Sequence, residues 1–194
     1  MKLKPLVNWL PVFAIALLLG WHYTRYNPQS RPSQPRTSSD AYTVLSVPDG
    51  DTIRATSINT GKKVNIRFAC IDAPEVTHGK KIGQPFGDES KANLKKWIDA
   101  AGGQIIVQQV DTDRFGRVVG EVFIKHPKPT QPGEELFLNA QQVQDGLAYA
   151  YDRYAKNCSQ FDIVKSVETE AKSNKVGVWS GSYERPWDFR KSQR

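Results

Sequence analysis

The chain of 194 residues has only two cysteines, Cys70 and Cys158. That excludes a scaffold stapled by several disulfides. The two either pair or stay free, and export would favour a bridge. A strongly basic body is lacking as well. The whole chain carries 27 Lys+Arg against 20 Asp+Glu, and five of the basic residues, Lys2, Lys4, Arg25, Arg31 and Arg36, precede residue 40, where no acid occurs. The 22 against 20 that remain leave residues 40–194 at about +2, so total charge is no argument for a nucleic-acid face. Binding has to come from local clusters. No internal repeat is present, which excludes a solenoid.

Long hydrophobic runs are limited to one. Leu6 to Trp21 follows a short positive start, Met1 to Lys4, in the pattern of an export signal. No small-x-small cleavage site follows, and Leu18-Leu19-Gly20 is a poor one. A spanning helix wants about 20 apolar residues. Residues 1–21 are therefore either a signal peptide or an N-terminal membrane anchor, and both readings carry the domain out of the cytoplasm, secreted or held at the membrane. Residues 22–40 contain Pro28, Pro32 and Pro35 and few apolar residues, the composition of a disordered linker. The folded domain is expected over 41–182. A C-terminal extension follows at 183–194, where Arg185-Pro186-Trp187-Asp188-Phe189-Arg190 is expected to pack its aromatics back on the domain.

What is present within 41–182 is a β pattern with helices set into it. Strands are predicted at 42–47, 52–58 and 63–69, the last alternating polar and apolar so that Arg67 lies opposite Ile66 and Phe68. Residues 86–101 carry Leu94, Trp97, Ile98 and Ala101 at helical spacing and stop at Gly102-Gly103. Two more strands, 104–110 and 118–124, precede helices at 136–145 and 159–174. This order gives an α+β fold, a five-stranded OB-fold β-barrel with three α-helices.

The chemistry-bearing residues are few and clustered. Arg67-Phe68-Ala69-Cys70-Ile71-Asp72-Ala73-Pro74-Glu75 interleaves an arginine and two acids with apolar residues. Asp49-Gly50-Asp51-Thr52 lies upstream and Asp113-Arg114-Phe115-Gly116-Arg117 downstream. Singly, each has a plain explanation: a hairpin turn, a strand end with a proline turn, a solvated arginine. Together they are the parts of a phosphodiesterase. Carboxylates hold a hard cation, another carboxylate moves a proton, and guanidinium forks grip a phosphate.

In their order along the chain these motifs, with Gly83-Gln84-Pro85-Phe86-Gly87 and Gly177-Val178-Trp179, resemble the staphylococcal nuclease (thermonuclease) family over roughly residues 42–180. The resemblance implies a calcium-dependent endonuclease. It would hydrolyse DNA and RNA with little sequence preference and leave 3′-phosphate ends. Asp51 and Asp72 would supply Ca2+ oxygens and Ala73 its backbone carbonyl, where the familiar enzyme has threonine; other divalent cations suit the same ligands. Asp49 would stand behind them. Glu75 would be the general base, with Arg67 and Arg117 on the phosphate. Gly146-Leu147-Ala148-Tyr149-Ala150-Tyr151 corresponds to the region whose tyrosines stack a base, so Tyr149 and Tyr151 are candidates, with at least one of the two expected in the core. Arg114-Phe115 replaces a Lys-Tyr pair, keeping the charge and losing the phenol. Lys80 and Lys81 are candidates for backbone contacts, and His78 is assigned no role. A bridge between Cys70 and Cys158 would brace the metal site. The chain is expected to act as a monomer. A catalytically inactive nucleic-acid-binding OB-fold module at the cell envelope is the alternative.

Overall fold

The computed structural model describes residues 39–79 and 81–193. The leader at 1–21, most of the linker at 22–40, and Lys80 lie outside the described residues. Among those described, no helix is long and apolar enough to cross a membrane.

The strands are β1 (Asp40–Ser46), β2 (Thr52–Ser57), β3 (Lys63–Phe68), β4 (Ile71–Asp72), β5 (Gln104–Thr112), β6 (Val118–Lys125), β7 (Glu135–Phe137) and β8 (Tyr149–Ala150). Among the described residues the α-helices are α1 (Gly87–Ala100), α2 (Leu138–Gln144), α3 (Phe161–Ser173) and α4 (Pro186–Ser192). The main sheet runs β3-β2-β1-β5-β6-β7, and β3 also pairs with β6. That second pairing closes β1, β2, β3, β5 and β6 into a five-stranded barrel. It is parallel, with Ile66 opposite Val118 and Arg67 opposite Val119, whereas the other ladders of this sheet are antiparallel. Closure removes the exposed edges that an open sheet would offer. The core is apolar, with Ile53, Ile66, Phe68, Leu94, Ile98, Ile105, Val122, Ile124 and Leu138 buried.

The barrel expected from the sequence is present, and so are its three helices. A fourth, α4, is formed by the tail. Its start follows local rules: Arg185 is extended and Pro186 opens the helix, where its fixed φ fits and no N–H is missed. The helix predicted from residue 136 begins instead at Leu138. Glu135–Phe137 is a strand, with Phe137 opposite Phe123 and their rings stacked at 4.9 Å. Leu136-Phe137-Leu138 is apolar throughout, so periodicity cannot separate strand from helix there.

The functional end of the barrel is wired by two buried amides of α2. Asn139 accepts the Val122 N–H at 2.9 Å through Oδ1 and donates through Nδ2 to the carbonyls of Ala69 (2.8 Å) and Gly120 (3.3 Å). Gln142 donates to the Gly50 carbonyl at 2.8 Å and accepts from Asn93 of α1 at the same distance. The strand end before Asp72 and the turn before Asp51 are thus both fixed to one helix.

Candidate active site

Asp51 follows the Asp49-Gly50 turn and opens the way into β2, Arg67 lies near the end of β3, and Asp72 ends β4. Thr52 and Arg67 face each other in the β2–β3 ladder, which sets Asp51 beside the Arg67 side chain. Between β3 and β4 the chain turns at Cys70, whose φ of 59° lies in the left-handed region. That is costly for a non-glycine residue and persists only where the surroundings hold it. Here a disulfide to Cys158, 88 residues away, the Tyr151 N–H donating to the Cys70 carbonyl at 2.8 Å, and the β4–β8 ladder hold it. The bridge joins the turn two residues before Asp72 to the end of the 3-10 helix Asp152–Asn157.

Arg67 sits between two acids. Its Nη1 donates to Asp51 Oδ1, and its Nη2 to Asp72 Oδ1 at 2.5 Å. Asp51 Oδ2 accepts the Ala73 N–H at 2.7 Å. Both carboxylates are almost fully buried, Asp51 at 1% and Asp72 at 0% exposure. Burial pushes the Asp51 carboxyl well above the usual range, and Asp49 and Asp72 add to this; Arg67 and the Ala73 amide oppose it. Burial works against the Arg67 charge, but Asp51, Asp72 and Asp49 outweigh it and hold the guanidinium protonated.

Glu75 lies in the coil after β4, its side chain one-third exposed. Its backbone is tightly constrained. A Cβ on Gly87 would stand 2.2 Å from the Glu75 carbonyl oxygen and one on Gly83 2.5 Å from it, so only glycines let the loop lie this close. Gln84 accepts the Glu75 N–H at 3.1 Å. The Glu75 side chain meets a residue that sequence reasoning passed over, Arg190 of α4. Arg190 Nη1 donates to Glu75 Oε1 at 2.6 Å and Nη2 to Asp72 Oδ2 at 2.6 Å. The available signal was a charged residue at the end of an aromatic segment, Trp187-Asp188-Phe189-Arg190, that had to dock somewhere.

The other predicted residues are placed differently. Arg117 stands just before β6, on the strand beside β3, and its Nε donates to Asp113 Oδ2 at 2.7 Å rather than to Asp51, Asp72 or Glu75. Arg114 is exposed at the same hairpin, 4.8 Å from the ring of Phe115, which is itself 70% exposed. Lys81 is exposed and its backbone bridges to His78. Tyr149 is buried, with Trp179 edge-on at 5.1 Å and Arg185 over its ring at 4.2 Å, leaving no face for a base. Tyr151 is stacked on Trp187 at 5.2 Å.

Asp51, Asp72 and Glu75 meet at this end of the barrel, where Arg67 bonds to Asp51 and Asp72 and Arg190 bonds to Asp72 and Glu75. Hard oxygen donors of this kind suit a hard divalent cation. Among the described residues no group of three or more His, Cys, Asp or Glu side chains forms a ready metal cage.

Residues 65–181 match the family described as Staphylococcal nuclease homologue. The chain belongs to the staphylococcal nuclease family. Within it, the chain is similar to the Micrococcal nuclease of Shigella flexneri, 30% identical over 78% of this chain and 80% of that one. It is similar to Protein ParB of Escherichia coli at 30% identity, over 76% of this chain and 77% of that one. A family member from Oryza sativa subsp. japonica, named "Probable staphylococcal-like nuclease CAN2", is 30% identical over 86% of this chain, which spans 40% of its length.

Proposed function

We propose that the chain is a metal-dependent endonuclease that hydrolyses phosphodiester bonds of DNA and RNA and leaves 3′-phosphate ends, with Ca2+ as its ion. Family membership makes it a nuclease of the phosphodiesterase class. The observation that carries the finer reading is the convergence of Asp51, Asp72, Glu75 and Arg67 at one barrel end. Asp51, Asp72 and the Ala73 carbonyl would hold the ion. When bound, a divalent cation supplies positive charge against the charge that builds on a phosphate in the transition state.

The side chains divide the remaining work. Glu75 accepts the proton of an attacking water as general base. Arg67 has N–H donors beyond the two used on carboxylates, and these face the phosphate. Arg117, just before the adjacent strand β6, closes on it from the side of the hairpin. Guanidinium groups suit this because their forked donors match two phosphate oxygens at once. Arg114, Phe115 and Lys81 lie exposed, where a polynucleotide backbone passes.

Export of the domain, secreted or membrane-anchored, is supported by the apolar run at 6–21 and by the disulfide, since such bonds persist in oxidising compartments. Digestion of plasmid DNA and of RNA by purified protein, with chelator and then with Ca2+, Mg2+ or Mn2+ added back, tests the reading. Recovery with Ca2+, and fragments that a polymerase extends only after phosphatase treatment, are expected. Tight binding without cleavage under every ion would favour the inactive binding module instead.

A further inference from the structure

Helix α4 lies outside the barrel, yet its Arg190 spans two acids of the site. Its Nη1 reaches Glu75 Oε1 at 2.6 Å and Asp72 Oδ1 at 3.1 Å, while Nη2 reaches Asp72 Oδ2 at 2.6 Å. The two acids are held unequally without it. Asp72 is buried on a strand and also bonded to Arg67. Glu75 is on a loop with a partly exposed side chain, and Arg190 is its ion-pair partner. A long carboxylate side chain of that kind samples several rotamers unless something fixes it. A planar guanidinium fork is well suited to fix one carboxylate against another.

The tail that delivers Arg190 is anchored at several points. Tyr183 meets Phe86 edge-on at 5.2 Å, and Arg185 lies 4.3 Å over the Trp179 ring as well as over Tyr149. Trp187 stacks on Tyr151. Gln84 connects both sides: it accepts the Glu75 N–H and donates to the Glu184 carbonyl at 2.8 Å. The tail is thus tied to the Glu75 loop through the Gln84 side chain and again through Arg190. Anchoring of this kind describes a fixed wall of the site rather than a lid.

We propose that Arg190 is a positioning residue for Glu75. It holds Oε1 against Asp72 and leaves Oε2 turned to the attacking water. The assignment rests on the nuclease reading. The full chain carrying Arg190→Ala should lose kcat by about 30- to 100-fold while KM stays within about threefold, the signature of misplacement rather than lost binding. Arg190→Lys should recover part of the rate, and millimolar guanidinium should rescue Arg190→Ala without stimulating wild type. Calorimetric titration of the metal-free proteins with Ca2+ should show severalfold tighter binding to Arg190→Ala, because a cation has left Asp72.

Thermal melts of Arg190→Ala and Arg190→Gln establish that both fold. A kcat that rises would make the tail a brake and overturn the proposal. An unchanged kcat with a lower melting temperature would make it a mere prop and overturn it too. A wild-type chain inactive with every divalent ion overturns the nuclease reading and this proposal together, whereas an active wild type with an unaffected variant overturns only the latter.

Discussion

The two arginines expected to grip the phosphate live in opposite surroundings. Arg67 is enclosed between Asp51 and Asp72 in the barrel wall, and both of its partners are buried. Arg117 leaves an exposed hairpin and pairs with Asp113, which is partly exposed. One guanidinium is bound to two buried carboxylates and, in the proposed function, would serve a substrate with what remains. The other is oriented by a single acid and lies 5.7 Å from the exposed Phe115 ring. A function shared by two residues is therefore coupled to stability at one position and almost free of it at the other.

Replacing each in turn breaks the pair most sharply. Arg67→Ala leaves Asp51 and Asp72 buried without their shared cation, and should cost about 3–5 kcal/mol of stability together with nearly all activity. Arg117→Ala should lower kcat by about 10²- to 10³-fold, the usual effect of one lost transition-state donor. Its stability should change by no more than about 1 kcal/mol, since its ion pair is partly solvated. Urea denaturation beside DNA cleavage assays separates the two. Equal losses of stability would remove the distinction.

The disulfide sharpens the same contrast, because it braces only the enclosed side. Cys70→Ser with Cys158→Ser should destabilise by about 2–5 kcal/mol, as expected for a bridge closing a long loop. The cleavage rate at low temperature should also fall, as the turn before Asp72 relaxes. The Arg114–Phe115 hairpin should be unaffected, which hydrogen exchange at Phe115 and Gly116 reports. Gln142→Leu should have a smaller effect of the same kind. It strips the Gly50 carbonyl of a buried donor and should cost about 1–3 kcal/mol in a thermal melt.

The contrast also marks what the sequence made legible. Asp51, Arg67, Asp72 and Glu75 were readable because each lies in a local motif at a strand end or turn. Barrel closure then brings the strand ends together, while the roles of these residues came from the resemblance. Arg190 was not readable, because its meaning depends on where an aromatic tail docks, and docking is a tertiary event with no periodic signal. Asn139 and Gln142 were hidden likewise. They are polar residues inside a short helix, where a pattern-based reading expects solvent, and they are buried because irregular strand ends need their backbone groups satisfied. Of the two tyrosines offered as base-stacking candidates, of which at least one was expected in the core, Tyr149 is the buried one, and the tail contributes Arg185 and Trp187 to its surroundings. The barrel was the clearest element, because alternation along each strand is a local property.

The smallest expected effect lies at the exposed arm and concerns acid. Burial raises the Asp113 carboxyl, but the Arg117 amide, the Arg117 guanidinium and the Phe115 amide outweigh it and hold it below the usual carboxylate range. A carboxylate whose folded pKa is depressed adds stability above its unfolded pKa, near 4, and loses it as pH falls through the folded value. Asp113→Asn should therefore cost at most about 1 kcal/mol at pH 7, given the partial exposure. The difference from wild type should shrink steadily below about pH 4, where the wild-type carboxylate is itself protonated. Urea midpoints at pH 7, 4 and 2.5 measure this. Activity should respond more than stability if Arg117 grips the phosphate as proposed, because an amide accepts from Arg117 less strongly and no longer orients the guanidinium. A stability gap that stays constant with pH would show that the hairpin depends on hydrogen-bond geometry alone. The charge on Asp113 would then have no part in aiming Arg117.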